Sequence, residues 1–353
     1  MVLWRYCCIL MRAPILISLL LLCTAGTAQY SGPESVEFDA AGDRYFVSNT
    51  GSGLIKVRSQ AGVVTDFVSV SPSPYGLEIK GDTLFACSGG SVKGYLLSDA
   101  TPVFNLNVGG TFLNGITTDG TFLYVTDFNA AKIFRVDPAA GTFTTWVAST
   151  GGTPNGIVYA PEHDALLVAY WGSNAIVRGY DRTTATIVGS VSTGLTNIDG
   201  ITLDCEGMVL IASWNPDRIT RFEWGIISPT FADLLVPGLN NPADIDFDDV
   251  HDRVCIPNAA GNTVTLHEVI CTTGIPDHTR AALKVIPNPT TGLISIEPSF
   301  SRDEPYILLD NRGLMIGGGV LHHNARLDIS GLGAGQYVLD FTRIGQSVRV
   351  VKE

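Results

Sequence analysis

A segment that recurs six times constrains this chain more than any other feature of its sequence. Each copy opens with a residue that we call the anchor, followed by a residue that is Gly in four copies and then by an aliphatic residue; the anchors are Glu34, Tyr75, Asn114, Asn155, Asp199 and Ala243. Successive anchors are 41, 39, 41, 44 and 44 residues apart. Self-similarity at a period of about 40–45 residues is typical of propeller blades.

Four strand signals occur in most copies: a short strand at the anchor, a fully apolar strand such as Leu166 to Val168, and two further strands. The 38 Gly and 18 Pro residues favour a turn-rich β protein. We therefore predict an all-β chain, with a six-bladed β-propeller over residues 29–271, a linker over 272–283 and a small Ig-like antiparallel β-sandwich over 284–353. The sixth copy has no clear fourth strand, so we expect a three-stranded blade or one completed by residues near Leu283 to Ile286.

The anchors are the candidate functional residues, because the first strand of each propeller blade lines the central channel. Glu34, Asn114, Asn155 and Asp199 would bring two carboxylates and two carboxamides to one volume. An oxygen-only set with two negative charges suits a hard divalent cation, and we expect Ca²⁺. Asn-Gly and Asp-Gly are also strong turn signals, so the alternative is that these residues only shape the blade entrance.

The second strand of each blade runs back toward the anchors, so the loops that follow it should lie beside the predicted cation. These loops contain Asp127, Phe128, Trp171 and Trp214. Large aromatic side chains there would form the wall of a substrate pocket. Packing of the same rings between blades is the alternative.

These repeats resemble the gluconolactonase/senescence-marker-protein family and, more distantly, paraoxonases and NHL-repeat propellers. The resemblance rests on Glu34 in the first blade, on Asn155 in the sequence Pro-Asn-Gly-Ile and on Asp199 in Asp-Gly-Ile. It implies that these three residues hold a divalent cation, that Asn114 adds a polar group, and that Asp199 is the general base. The sugar-lactone enzymes carry an arginine just before the third-blade asparagine. Here that stretch is Thr-Phe-Leu at 111–113, so we expect apolar lactones as substrates.

The N-terminal residues 1–28 have the pattern of a signal peptide. An apolar run from Ile15 to Cys23 follows Arg12, and the small residues Gly26 and Ala28 precede the expected cleavage site. The run is shorter than the ~20 residues of a membrane span, and we expect no transmembrane segment in the mature chain. The net charge of −12 argues against nucleic-acid binding, which needs clustered Lys and Arg.

The tail after residue 283 resembles the C-terminal sorting domain of the bacterial type IX secretion system. The matching segments are Pro-Asn-Pro at 287–289, Leu-Asp at 309–310, Leu-Asp-Ile-Ser at 327–330, Gly-Gln-Tyr at 335–337 and the basic end at 348–352. The resemblance implies export across the outer membrane, with the secretion machinery as a partner. A secreted or cell-surface protein is the expectation. We expect the three glycines at 317–319 to form a bend or bulge between strands.

The cysteines of the mature chain leave two possibilities open. Cys87, Cys205, Cys255 and Cys271 could form two disulfides in one of three pairings, or remain buried thiols. Their spacing fits no zinc-site pattern.

Two functions follow from the sequence. One is a secreted, divalent-metal-dependent hydrolase of a lactone or ester, with Asp199 as base. The other is a non-catalytic propeller that binds a glycan, peptide or surface partner at the same face and keeps a structural Ca²⁺.

Overall fold

The computed structural model describes residues 29–271, 283–297, 304–321, 326–341 and 346–353. The predicted signal peptide and residues 272–282 of the predicted linker lie outside these ranges. Within them the chain forms 30 strands and one short 3-10 helix, η1 (Pro161–His163).

Residues 33–268 fold into six consecutive antiparallel sheets, and within each sheet the strands are neighbours in chain order. The first three sheets contain β1 (Pro33–Asp39), β2 (Arg44–Asn49), β3 (Leu54–Ser59) and β4 (Val64–Ser69); β5 (Pro74–Lys80), β6 (Thr83–Ser88), β7 (Ser91–Leu96) and β8 (Pro102–Asn107); and β9 (Leu113–Thr118), β10 (Leu123–Asp127), β11 (Lys132–Asp137) and β12 (Thr142–Val147). The other three contain β13 (Thr153–Ala160), β14 (Ala165–Trp171), β15 (Ile176–Asp181) and β16 (Ile187–Ser192); β17 (Thr196–Leu203), β18 (Val209–Asn215), β19 (Asp217–Phe222) and β20 (Ala232–Leu234); and β21 (Asp246–Asp248), β22 (Arg253–Asn258) and β23 (Thr263–Glu268).

This arrangement is a β-propeller in which each sheet is a blade, as the repeats predict. The first strand of each blade contacts the first strand of the next, and a parallel bridge between Ser35 and Asp244 joins the sixth blade to the first. The N–H of Asp244 donates to the carbonyl oxygen of Glu34 at 2.8 Å. We call the end of the channel where the anchors lie the upper end, and the opposite end, where turns join first and second strands, the lower end.

The sixth blade has three strands in the part of the chain that the structure describes. Its completion by residues near Leu283 to Ile286 is wrong, because β24 (Lys284–Ile286) pairs with β25 (Leu293–Glu297) in the tail. A disulfide between Cys205 and Cys271 instead ties the end of the sixth blade to the fifth, while Cys87 and Cys255 are buried free thiols.

A β-bulge interrupts the inner strand of each of the first five blades at its anchor. In β1 the anchor Glu34 and the next residue, Ser35, together oppose the single residue Ser48 of β2. The same two-against-one pairing occurs at the anchors of β5, β9, β13 and β17. Because a bulge bends its strand and re-aims the side chains within it, each anchor turns out of its sheet toward the channel.

The glycines after four anchors are needed where neighbouring blades meet. A Cβ added at Gly115 would lie 2.5 Å from the carbonyl oxygen of Asn155, and one added at Gly156 would lie 2.7 Å from that of Asp199. Gly76 and Gly200 face the next blade's backbone in the same way. The backbones of neighbouring blades are therefore crowded near the channel axis.

The core of the propeller lies between blades. The second strands have buried apolar centres, such as Leu166 to Val168, which pack against the neighbouring sheet. Trp224 illustrates the fit: its indole covers Gly179 and Gly189, which are paired in register in the fourth blade, and a Cβ at Gly179 would collide with that ring.

The tail forms two antiparallel sheets around a core of its own. One sheet contains β24, β25 and β28 (Leu327–Asp328), and the other contains β26 (Glu304–Leu309), β27 (Met315–Leu321), β29 (Gly335–Phe341) and β30 (Gln346–Lys352). Ile294, Leu339 and Phe341 are fully buried at its centre. The three glycines at 317–319 lie inside β27, where each pairs with a residue of β26, so they form no bend between strands; a β-bulge does occur, directly before Gly317.

The Pro-Asn-Pro segment of the tail has a structural role. The side chain of Asn288 donates to the carbonyl oxygen of Arg349 and accepts the N–H of Val351, each at 2.8 Å. One amide thereby fixes the loop to the last strand of the chain.

Candidate functional site

The structure brings two predicted ligands into direct contact. Asn155 and Asp199 are each only 2% exposed, and Nδ2 of Asn155 donates to Oδ1 of Asp199 at 2.8 Å. This bond leaves the side-chain oxygen of Asn155 without a hydrogen bond from the described residues, while the Asp199 carboxylate also receives a hydrogen bond from the side chain of Trp214. Both bulges therefore present oxygen atoms to the same volume.

Glu34 and Asn114 occupy the equivalent bulges of the first and third blades. The Glu34 side chain lies deep among protein atoms, but part of its surface remains accessible through the channel. Its carboxylate makes no hydrogen bond with any described residue. Burial raises the pKa of Glu34 to about 7. Asn114 is 4% exposed, and its side-chain amide has no hydrogen-bond partner in the described part of the chain. The polar atoms of both side chains are therefore available to a ligand in the channel.

The electrostatics around Asp199 are those of a site that lacks positive charge. Burial raises the pKa of Asp199 well above its ordinary value, the charges of Glu34 and Asp244 raise it further, and hydrogen bonds from Asn155 and Trp214 oppose the shift. The indole N–H of Trp214 also donates to the carbonyl oxygen of Pro242 at 3.0 Å. No Lys or Arg contributes to the shifts of Glu34, Asp199 or Asp244.

This donor set fits a hard divalent cation. Two carboxylates and two carboxamides offer oxygen atoms only, and Ca²⁺ completes a shell of six to eight oxygens with backbone carbonyls and water. A bound cation would also stabilise the ionised carboxylates that burial disfavours. The position of the four residues in equivalent bulges gives each the same relation to the channel axis.

Five aromatic rings form a continuous arc beside these residues. We call it the aromatic arc: Tyr75, Phe112, Phe128, Trp171 and Trp214. Successive ring centroids are 4.7, 5.4, 6.0 and 4.8 Å apart, with tilted or edge-to-face geometry. All five side chains remain partly exposed. The rings thus pack on one another around the upper mouth, from the second blade to the fifth.

Three members of the aromatic arc were predicted and two were missed. Phe128, Trp171 and Trp214 lie together, as their shared loop position predicts. The sequence predicts Tyr75 only as an anchor, and Phe112 only as part of the stretch 111–113 that lacks the arginine. Their signal was present in the sequence, because Tyr75 is itself an anchor and Phe112 lies two residues before one.

Asp127 does not belong to a binding surface. Its side chain is fully buried, and its carboxylate accepts hydrogen bonds from the N–H and Oγ1 of Thr111, both at 2.7 Å, and from the N–H groups of Phe112 and Ala130. Although burial opposes it, these bonds lower the pKa of Asp127. The residue organises the loop that carries Phe112 and Phe128, so its predicted role in substrate binding is corrected to a structural one.

Four acidic side chains of the channel were not predicted: Glu37, Glu78, Asp244 and Asp246. Glu37, Glu78 and Asp246 each stand three residues after an anchor. In a regular strand that spacing would place them on the face opposite the anchor, but the bulge shifts the alternation by one residue. The sequence signal was a carboxylate inside a short apolar strand. Burying a carboxylate costs free energy unless it is paired, hydrogen-bonded or bound to a ligand.

These lower residues join neighbouring blades. The carboxylate of Glu37 accepts the N–H of Ile79 at 2.8 Å, and that of Asp246 accepts the N–H of Phe38 at 2.8 Å. Glu78 accepts the N–H of Thr118. Oγ1 of Thr117, in the third blade, accepts the N–H of Tyr159 at 3.3 Å. We call these bonds the inter-blade clamps.

Two further findings limit other assignments. Cys205, Asp252 and Cys271 place possible ligand atoms within 4.8 Å of one another, but the two sulfurs are joined in the disulfide and offer no thiolate to a metal. Among the described residues, no helix is long and apolar enough to span a membrane.

Comparison with known proteins places the chain by its fold. No family model matches the sequence, and no curated protein sequence matches it. Hydrazine synthase from Kuenenia stuttgartiensis is structurally similar, with a TM-score of 0.55 and 17% identity over 70% of this chain and 79% of that chain. A streptogramin B lyase matches with a TM-score of 0.53 and 15% identity over 69% of this chain and 85% of that chain.

The Cps50 (Swd1) β-propeller domain from Myceliophteria thermophila matches with a TM-score of 0.50 and 13% identity, over 68% of this chain and 98% of that chain. At these identities the similarity concerns the fold alone, and the fold that it supports is the β-propeller.

Proposed function

We propose that the propeller is a divalent-cation-dependent hydrolase of lactones or esters that acts at the upper mouth of its channel. The observation that carries this proposal is the placement of Glu34, Asn114, Asn155 and Asp199 in equivalent bulges, where the side-chain oxygens of the first three receive no hydrogen bond from any described residue. Ca²⁺ is the cation that this oxygen-only set favours. When bound, it would polarise the carbonyl oxygen of the substrate.

Asp199 is the proposed general base. The amide of Asn155 and the side chain of Trp214 hold its carboxylate in place, and this carboxylate would accept a proton from the attacking water. The charge that Asp199 needs for this role is disfavoured by burial, so its activity as a base depends on an occupied cation site.

The aromatic arc supports an apolar substrate. Its five rings offer a partly exposed wall on one side of the anchors, and the stretch 111–113 lacks the arginine that the sugar-lactone enzymes carry just before the third-blade asparagine. We therefore propose aliphatic lactones or aryl esters as substrates, in preference to gluconolactone.

A panel of aliphatic lactones, aryl esters and gluconolactone tests the proposal, assayed with and without Ca²⁺. The Asp199→Asn variant keeps an oxygen of similar shape but removes the basic group, so turnover should fall by ~10²–10⁴-fold. Asp66→Asn makes the same change on an exposed outer strand and is the matched control. Equal turnover in wild type and Asp199→Asn would exclude Asp199 as the base.

A non-catalytic binding module is the second candidate. The continuous, partly exposed surface of the aromatic arc favours it, because such a surface binds a ligand whether or not chemistry follows. Tight Ca²⁺ binding without turnover of any panel member would support this function.

We also propose that the chain is exported, with residues 284–353 as its type IX sorting domain and residues 1–28 as its signal peptide. Support comes from the separate core of the tail and from the Asn288 bonds that fix its Pro-Asn-Pro segment. The mature protein would then be secreted or held at the cell surface.

A further inference from the structure

The ring of inter-blade clamps at the lower end of the channel is incomplete. The clamp position in the fourth blade is Val158, which has no acceptor atom. In the fifth blade it is Thr202, whose hydroxyl makes no hydrogen bond with any described residue. Thr117, at the equivalent position of the third blade, does make its bond. The junction between the fourth and fifth blades and that between the fifth and sixth therefore lack an inter-blade clamp.

A cavity of about 390 Å³ opens at this interruption. Val158, Leu203 and Phe247 supply apolar wall, while Thr202, Glu37 and Asp246 supply oxygen atoms. The lining comes from the first, fourth, fifth and sixth blades, so the cavity is the lower mouth of the central channel. Its size is in the range of sites for small organic ligands.

The charged groups at this mouth are negative or already paired. The lining residues include no Lys, Arg or His. Asp204, on the same rim, is paired with Arg221 at 2.5 Å. Glu37 uses Oε1 in its clamp, which leaves its other oxygen free. Burial raises the pKa of Glu37 well above its ordinary value, and the charges of Asp246, Glu78 and Asp244 raise it further. A cation is the group that this mouth lacks.

Thr202 points independently to a ligand that donates hydrogen bonds. The residue is only 6% exposed, it lines the cavity, and its hydroxyl has no partner in the described part of the chain. A threonine hydroxyl can accept a hydrogen bond, so this oxygen is available to a donor within the cavity.

We propose that the lower mouth binds a primary ammonium group carried on a short apolar chain. The ammonium has three donors, which matches the free oxygen of Glu37, the carboxylate of Asp246 and the hydroxyl of Thr202. The chain would pack against Val158, Leu203 and Phe247. Ca²⁺ suits this mouth poorly, because it needs six to eight oxygen ligands and much of the wall is apolar. This site is separate from the proposed hydrolase site at the upper end.

Calorimetric titration of the full chain with n-hexylammonium chloride tests the proposal, with 1-hexanol as the neutral probe of the same length. We expect saturable binding of the amine and binding of the alcohol that is at least about tenfold weaker, because a charged hydrogen-bonding group is lost. Thr202→Val keeps the shape of the side chain and breaks no clamp, and it should weaken amine binding several-fold. Glu37→Gln keeps an acceptor for Ile79 and should weaken it about tenfold or more.

Glu268→Gln removes an exposed carboxylate from β23 and should leave amine binding unchanged. Saturating CaCl₂ should also leave it unchanged, so a failure of the upper cation site would not affect this result. Equal affinity for hexanol and hexylamine would overturn the proposal, as would unchanged amine affinity in Thr202→Val and Glu37→Gln. Displacement of the amine by Ca²⁺ would assign the lower mouth to the metal instead.

Discussion

The residue that follows each anchor sets how closely two blades approach at the channel. At Gly156 an added Cβ would lie 2.7 Å from the carbonyl oxygen of Asp199 and 3.0 Å from the N–H nitrogen of Ile201. Neither atom can move without moving β17. The spacing of the proposed cation ligands therefore depends on a residue that has no side chain.

Gly156→Ala should lower the free energy of unfolding by about 1–3 kcal/mol, the usual cost of overpacking a rigid site. It should also weaken Ca²⁺ binding, because the strand that carries Asp199 must shift. Gly317→Ala, where no atom lies within 4 Å of the new Cβ, is the control and should change neither quantity appreciably. Urea denaturation and calorimetry provide the two measurements, and wild-type stability in Gly156→Ala would contradict the proposed packing.

A second residue-scale prediction concerns the pH dependence of stability. Burial raises the pKa of Asp246 to about 6 in the folded protein, while the unfolded chain keeps the ordinary lower value. The folded state therefore binds the proton more tightly, and the associated stability is present at low pH and lost as the pH rises through about 6. Without divalent cations, the full chain should be more stable near pH 5 than near pH 8.

Asp246→Asn should remove its share of this dependence, about 1–1.5 kcal/mol between pH 8 and pH 5, since one pKa unit corresponds to ~1.4 kcal/mol and pH 5 lies about one unit below the folded-state pKa. Thermal denaturation across this pH range, in the presence of a chelator, measures it. A variant whose stability changes with pH as steeply as that of the wild type would show that Asp246 is not a major contributor.

At the scale of elements, the repeat predicted the strands well, and the bulge explains what it could not predict. The anchors follow from the period alone, and so does the apolar centre of the second strand in each blade. The acidic residues three positions later do not, because strict alternation assigns Glu37 and Glu78 to the wrong face. The burial of Asp127 could not be predicted from the sequence either, because its four hydrogen bonds depend on the conformation of a loop.

The sixth blade shows how a short element is held. It has three strands among the described residues, and its end is fixed by the Cys205–Cys271 disulfide, which closes a loop with a sequence separation of 66 residues. The positions of the four cysteines in the sequence are compatible with this pairing but do not distinguish it from the others. The pairing is determined by the fold, which brings the β17–β18 turn close to the end of the sixth blade.

The double change Cys205→Ser and Cys271→Ser should cost about 3–4 kcal/mol of stability, the amount expected for a crosslink closing a loop of this size. Cys87→Ser is the matched control, because Cys87 opposes a bulge where Ser48 and Thr126 stand in other blades. It should cost much less. Urea denaturation of the oxidised proteins compares the three, and a double variant as stable as Cys87→Ser would remove the disulfide from this role.

At the scale of the whole molecule, the propeller and the tail are two cores in one chain. The buried apolar residues of the tail pack only with one another, and those of each blade pack with neighbouring blades. The sequence predicted both parts, because each carries its own periodicity. The tail's function follows from resemblance and remains a prediction.

Deletion of Leu283 to Glu353 should leave a folded propeller that is exported to the periplasm but not delivered to the cell surface. The matched control is Gly317→Ala in the full chain, which should be delivered normally. Fractionation with surface proteolysis measures the location, and circular dichroism checks that the truncated chain is folded. Normal surface delivery of the truncated chain would make the tail an accessory domain.

The most direct test of the account is calorimetric titration of the full chain with Ca²⁺. One saturable site is expected, and its occupation at 100 times Kd should stabilise the fold by about 2.7 kcal/mol. Asp199→Asn and Glu34→Gln should each weaken binding about tenfold or more, while Glu37→Gln, at the other end of the channel, should not. Wild-type protein that binds none of Ca²⁺, Mg²⁺, Mn²⁺ and Zn²⁺ would contradict the assignment of a cation site to the upper mouth.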